Sequence, residues 1–205
     1  MKSKVIYQDN ISIPPEEFLV VDLEGTGDSK NNGIVELSII YVKSKNDIKG
    51  YSWMFNPRKP ITYFGTKVHG IKNSDVKDKP FLLDHADEIL GILSDKPFVG
   101  HHCGVDIALL SNELPIWKPE LVYDTFRLAK KYFPNKNSYK LTNLTESLGI
   151  EIRTEDVHKL FSPSIDAKRL KPHSAPFDTF ATLKLFQRII TSKPKLDNNS
   201  QLGLF

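Results

Sequence analysis

Asp22 and Glu24 stand two residues apart in "FLVVDLEGTG", residues 18–27, an apolar run that takes on two acids just before it stops at Gly25 and Gly27. Alternate side chains of a strand share a face, so the two carboxylates project together at the strand's carboxyl end. An unpaired carboxylate on a buried segment costs several kcal/mol or changes its protonation, so two of them require a cationic partner. From this stretch alone, a pair of acids facing solvent at a sheet edge accounts for the residues equally well.

Two further acids favour a shared site. In "GVDIALLSNEL", Asp106 precedes Leu109 and Leu110 at helical spacing and so shares their apolar face. In "SAPFDTFATLKLFQRII", Asp178 opens a stripe that runs through Ala181, Thr182, Leu185 and Ile189. The helix dipole favours an acid in a first turn, yet a core-facing stripe is a poor place for one that merely caps. Four acids at element ends, each turned toward the core, suit a cluster neutralised by hard divalent cations with oxygen ligands. His173 lies just before the last helix, with Ser174 expected at its N-cap and Pro176 in its first turn. A loop histidine beside carboxylates suits general-base chemistry near neutral pH. His101 and His102 read as neighbours on a strand, facing opposite sides. With Cys103 they resemble a zinc site only superficially, because no second ligand pair stands at zinc-like spacing.

The elements that position these residues follow from pattern. After the first strand, "GIVELSIIYV" and "GYSWMFNP" flank the turn-like "KSKNDIK" and predict an antiparallel meander. Residues 61–93 read as short helical pieces, "KPFVGHH" and "LVYDT" as short strands, and "TFRLAKKYF" and "LTNLTESLG" as helices. Residues 151–171 have no clear pattern. The expectation is a mixed α/β domain over 18–190, preceded by an irregular lead-in at 1–17 and followed by a flexible tail at 191–205.

Composition bounds the rest. The 205 residues are 40 % hydrophobic and 26 % charged with a net charge of +3, ordinary for a globular protein and too weakly basic to demonstrate a polyanionic partner. Cys103 is the only cysteine, which rules out an intrachain disulfide and favours a reducing compartment. The opening "MKSKVIYQDN" has no apolar segment of the signal-peptide kind and no stretch reaches membrane-spanning length, so a cytoplasmic protein without membrane contact is expected.

With these residues in place, the chain resembles the DEDDh, or DnaQ-like, 3′→5′ exonucleases, and among them the proofreading epsilon-type exonucleases of bacterial DNA polymerase. The motif D-x-E-x-T-G stands as Asp22, Glu24, Thr26 and Gly27; "HHCGVD" ends in Asp106; and "HSAPFD" runs from His173 to Asp178. "IVEL", "VHGI", "VYDT" and "YKLTNLTESLGI" resemble accessory signatures in the same order. Departures are His102 and Val105 in the second motif and Pro176 in the third. The resemblance implies a ribonuclease-H-like fold with a mixed sheet, its first three strands antiparallel and helices on its flanks. It implies that Asp22, Glu24, Asp106 and Asp178 hold two Mg²⁺ or Mn²⁺ ions and that His173 takes the proton of the attacking water. Leu23, Gly25, Thr26 and His102 would contact the substrate, Thr26 near the terminal 3′ hydroxyl. The implied reaction releases nucleoside 5′-monophosphates from a nucleic acid with a free 3′ end, DNA being favoured.

The chain closes on "QLGLF" behind the polar "TSKPKLDNNS". Gln201, Leu202, Leu204 and Phe205 resemble the short peptide with which bacterial replication and repair proteins bind the sliding clamp, where apolar anchors fill a groove and a polar residue sets registry. A tail folded back on its own domain is the alternative. A DNA polymerase subunit is a further partner that the epsilon-type resemblance allows. Two other functions stay open at this level: an exoribonuclease or oligoribonuclease that trims RNA 3′ ends, and a non-catalytic module that occupies DNA ends.

Overall fold

A computed structural model describes residues 5–28, 32–162 and 165–192. Its strands are β1 (Ile6–Tyr7), β2 (Phe18–Gly25), β3 (Ile34–Ser44), β4 (Asp47–Met54), β5 (Phe98–Gly100) and β6 (Leu121–Asp124). They form one sheet in the order β1-β6-β5-β2-β3-β4. β2, β3 and β4 pair antiparallel, whereas β5 and β6 join β2 in parallel. The mixed sheet of the ribonuclease-H-like fold, with its antiparallel opening, is therefore present as the sequence predicts.

The helices are α1 (Tyr63–His69), α2 (Asn73–Val76), α3 (Ala86–Leu93), α4 (Gly104–Glu113), α5 (Thr125–Tyr132), α6 (Leu141–Ser147), α7 (Thr154–Phe161) and α8 (Ala175–Ile190). Alternation along the strands feeds two cores. Phe18, Val20, Ile40 and Val42 face α5 to α8, burying Leu128, Leu144, Val157, Phe161 and Phe186. Leu19, Val21, Leu37 and Ile39 face α3 and α4, burying Ile89, Leu93 and Leu110. A helix–sheet–helix sandwich follows, because each sheet face must bury its apolar side.

Two expectations change. The lead-in is not wholly irregular: β1 pairs in parallel with β6, Ile6 N donating to Glu120 O at 2.9 Å and Gln8 N to Val122 O at 2.8 Å. The undeciphered segment 151–171 holds α7 and a 3₁₀ turn at Ala167–Arg169. Residues 193–205, and with them the clamp-like Gln201, Leu202, Leu204 and Phe205, lie outside the described residues. No helix among the described residues is long and apolar enough to cross a membrane.

Candidate active site

The site forms where β2 outruns its parallel neighbour. β5 pairs with Leu19 and Val20 and stops at Gly100, so the upper part of β2 has no strand on that side. The first turn of α4 takes the vacated place, and Asp106 Oδ1 accepts a hydrogen bond from Leu23 N at 3.2 Å. From the other face α8 brings Asp178. Asp22, Glu24 and Asp178 each offer a carboxylate oxygen, and these oxygens lie within 4.8 Å of one another. All four acids are half-buried.

The electrostatics are those of an uncompensated cluster. Burial, then Asp106, Asp178, Glu24 and Glu36, raise the Asp22 carboxyl well above its usual range. Burial and Asp178 push Glu24 up to about 8, against the pull of Arg169. Asp106 rises to about 7 through burial, offset in part by backbone hydrogen bonds, and Asp178 rises to about 7 for the same reasons. Carboxylates driven this far up need a positive charge to ionise together. Arg169, four residues before the third motif, is already committed elsewhere. Arg169 gives Nε and one terminal nitrogen to the two Glu36 oxygens, at 2.8 and 2.6 Å, and its other terminal nitrogen to His69 O at 2.6 Å. An oxygen-only donor set at this spacing fits a hard divalent cation, with Asp22, Glu24 and Asp178 as its holders and Asp106 beside them.

His173 is exposed, with its backbone in the left-handed region at φ 61°. Its amide donates to Asp178 Oδ2 at 3.2 Å. Non-glycine residues held there mark overdetermined, often functional, positions. Ser174 does occupy the N-cap position of α8, but its hydroxyl donates to Arg169 O and Lys171 O instead of capping, and Glu36 Oε2 accepts Ala175 N at 2.8 Å.

The other expected contacts divide. Gly25 ends β2 next to Glu24, and a β-carbon there would fall 2.5 Å from Asn32 Oδ1, so the loop after the strand leaves room only for glycine. The Leu23 side chain points to the opposite sheet face, against the α3/α4 core, as alternation requires once Asp22 and Glu24 face the cluster. Thr26 is fully buried and already used: its hydroxyl donates to Asn32 Oδ1 at 2.9 Å and accepts from Gly33 N, while its carbonyl accepts from Thr62 N. These bonds close the loop that follows β2. His101 and His102 lie beyond β5 and not on it. His101 is half-buried between Thr125 Oγ1 and Tyr139 O, each 2.9 Å away, and desolvation lowers it to about 4. His102 is exposed and stacks on Phe126 at 4.8 Å. With Cys103 buried and its thiol pushed up, these three residues form no zinc site.

Sequence reasoning passed over Glu36, Arg169 and the role of His69. Glu36 had a signal: it is a charged residue at an inward position of "IVEL", directly opposite Glu24. Arg169 had none, lying in the unpatterned segment.

A family model described as "Exonuclease" (RNase_T) matches residues 19–186. The chain is 28 % identical over 178 residues to the PolC-type DNA polymerase III of Caldanaerobacter subterraneus subsp. tengcongensis, a match covering 85 % of this chain and 12 % of that protein. It is 29 % identical over 150 residues to the 3′-5′ exonuclease DinG of Bacillus subtilis, covering 70 % of this chain and 16 % of the relative. The chain thus spans a small fraction of the length of both relatives. Among solved structures, Exonuclease X in complex with 5′ overhanging duplex DNA superposes with a TM-score of 0.64 at 22 % identity, covering 85 % of this chain and 91 % of that one. The nuclease domain of 3′hExo, a DEDDh family member bound to rAMP, gives 0.62 at 10 % identity, covering 88 % and 98 %.

Proposed function

We propose, for a chain that belongs to the exonuclease family RNase_T and is of the DEDDh type, a divalent-metal-dependent 3′→5′ exonuclease that releases nucleoside 5′-monophosphates from nucleic acid. The observation that carries this reading is the convergence of Asp22, Glu24 and Asp178 within 4.8 Å at the open end of β2, beside Asp106. Asp22, Glu24, Asp106 and Asp178 hold two ions, Mg²⁺ or Mn²⁺. Such a pair supplies charge stabilisation to the attacking and leaving oxygens of a phosphodiester. His173 accepts the proton of the attacking water, and its exposed ring has the access this needs. His102, stacked on Phe126, offers an exposed surface for a base.

DNA is the favoured substrate, in proofreading or repair. The likeness to a polymerase III and to a structure holding duplex DNA supports that choice. Residues 18–190 form the catalytic unit, and the protein works in the cytoplasm. The "QLGLF" terminus supports tethering to a bacterial sliding clamp, with a polymerase subunit as a further partner. Labelled single-stranded DNA, single-stranded RNA and mispaired duplex, incubated with Mg²⁺ or Mn²⁺ and sampled over time, test the reading. Mononucleotides should accumulate from the 3′ end of DNA and cease in EDTA. Products only from RNA would assign an exoribonuclease, and binding without products an end-binding module. Deleting residues 201–205 should leave hydrolysis of short oligonucleotides intact and abolish stimulation by a purified clamp. Stimulation that survives the deletion would remove the tether.

A further inference from the structure

Glu36 and Arg169 contribute nothing to the acid cluster's own oxygens, yet they form the most fully bonded polar pair beside it. Glu36 is 1 % exposed and Arg169 8 %. The register places Glu36 directly opposite Glu24 across the β2–β3 ladder, where like charges repel. Arg169 turns that repulsion into attachment through a two-pronged hydrogen bond to Glu36.

Four segments meet at this pair. Glu36 is held on β3, beside the β2 acids. Arg169 lies in the 3₁₀ turn that leads to His173. Its third bond, to His69 O, fixes the end of α1, and the His69 ring in turn bridges Gly25 O at 3.2 Å and Ile71 N at 3.1 Å. Glu36 Oε2 also accepts from Ala175 N, the first residue of α8. One buried carboxylate therefore sets the start of the helix that carries Asp178, and one guanidinium sets the loop that carries His173. Arg169 borders a cavity of about 670 Å³ lined also by Trp53, Met54, Lys168 and Lys171, and its three hydrogen bonds tie it to β3 and α1.

We propose that Glu36 and Arg169 are positioning residues of this nuclease: their pair sets Asp178 and His173 in register with Asp22 and Glu24. The proposal rests on the reading of the cluster as a metal-dependent nuclease site. A buried ion pair is by itself a poor source of stability, and exchange of both partners for apolar side chains is often neutral. Displacement of catalytic groups by about 1 Å, in contrast, costs up to about a hundredfold in rate.

Two variants separate positioning from simple support. Arg169→Lys keeps the charge but cannot make the fork and the His69 bond together. The double variant Glu36→Leu/Arg169→Met removes the pair without stranding either charge. Each is measured for thermal midpoint, Mn²⁺ binding by calorimetry, and kcat and KM on a short DNA oligonucleotide. The expected result is a midpoint close to that of the unaltered protein, kcat lower by about tenfold to a hundredfold with KM little changed, and weaker Mn²⁺ binding. A folded variant with unaltered kcat and Mn²⁺ affinity overturns the proposal, as does failure of both variants to fold, which would assign the pair to stability alone. If the unaltered protein hydrolyses no nucleic acid, it is the functional reading that fails. Calorimetry then decides the positioning role: weaker Mn²⁺ binding in Arg169→Lys supports it, and equal binding overturns it.

Discussion

The amide of His173 donates to Oδ2 of Asp178 at 3.2 Å, so the proposed base and a proposed metal ligand form one local unit across five residues. The bond comes from the backbone, so changing the His173 side chain leaves it in place. His173→Ala should therefore lower kcat by roughly 10²–10⁴-fold while Mn²⁺ binding stays near its original affinity. A single-turnover assay paired with calorimetry checks both halves. An unaltered rate would show that the imidazole is not the base.

Asp22 faces the reverse situation, since its carboxylate has the electrostatic load of every other acid in the cluster. Asp22→Asn should lower hydrolysis by orders of magnitude while raising the thermal midpoint of the metal-free protein at pH 8, because asparagine is neutral without the proton that Asp22 must take up to sit in this crowded site. An active variant, or one less stable than the original without metal, would contradict the cluster as drawn.

These acids were legible because each sits against a local rule. Asp22 and Glu24 interrupt an apolar strand, and Asp106 and Asp178 occupy core-facing helical positions. The antiparallel β2–β4 meander was legible for a related reason: period-two alternation and tight turns are local. What the pattern hid depends on distant partners. β1 is only two residues long and exists because β6, more than a hundred residues away in sequence, offers it a ladder. The Glu36–Arg169 pair spans 133 residues, and nothing near Arg169 signals that its charge is buried. A motif records which residues recur and not which way each side chain turns, so the packing of Leu23 on the α3/α4 core and the bonds of Thr26 within its loop were not legible from it.

The contact between α1 and that loop gives a structural prediction. A β-carbon added at Gly65 would lie 2.7 Å from the carbonyl oxygen of Thr26, a backbone atom that also accepts from Thr62 N at 2.8 Å. Gly65→Ala must therefore push α1 off the turn that follows the β2 acids. The expected cost is about 1–3 kcal/mol of stability, read from denaturant unfolding. A neutral substitution would mean that α1 and the Thr26 loop are not in register as described.

The last prediction joins pH, metal and stability. Glu24 rises to about 8 and Asp106 and Asp178 to about 7, all from ordinary values near 4. Folded carboxyls with raised pKa hold protons that the unfolded chain has released. Their stabilising contribution is thus fully present below about pH 4 and is lost as pH rises toward about 8. Metal-free protein should accordingly become less stable across that window. A divalent cation reverses the trend, because it takes the place of the protons and binds best when the acids are ionised. Binding at a hundredfold excess over Kd contributes about 2.7 kcal/mol, which corresponds to about 5–11 °C for a chain of this size. The shift in thermal midpoint on adding Mn²⁺ should therefore be large at pH 8, small at pH 5, and absent at both in Asp22→Asn/Glu24→Gln. A shift equal at the two pH values, or one retained by the double variant, would place the bound ion somewhere other than among these acids.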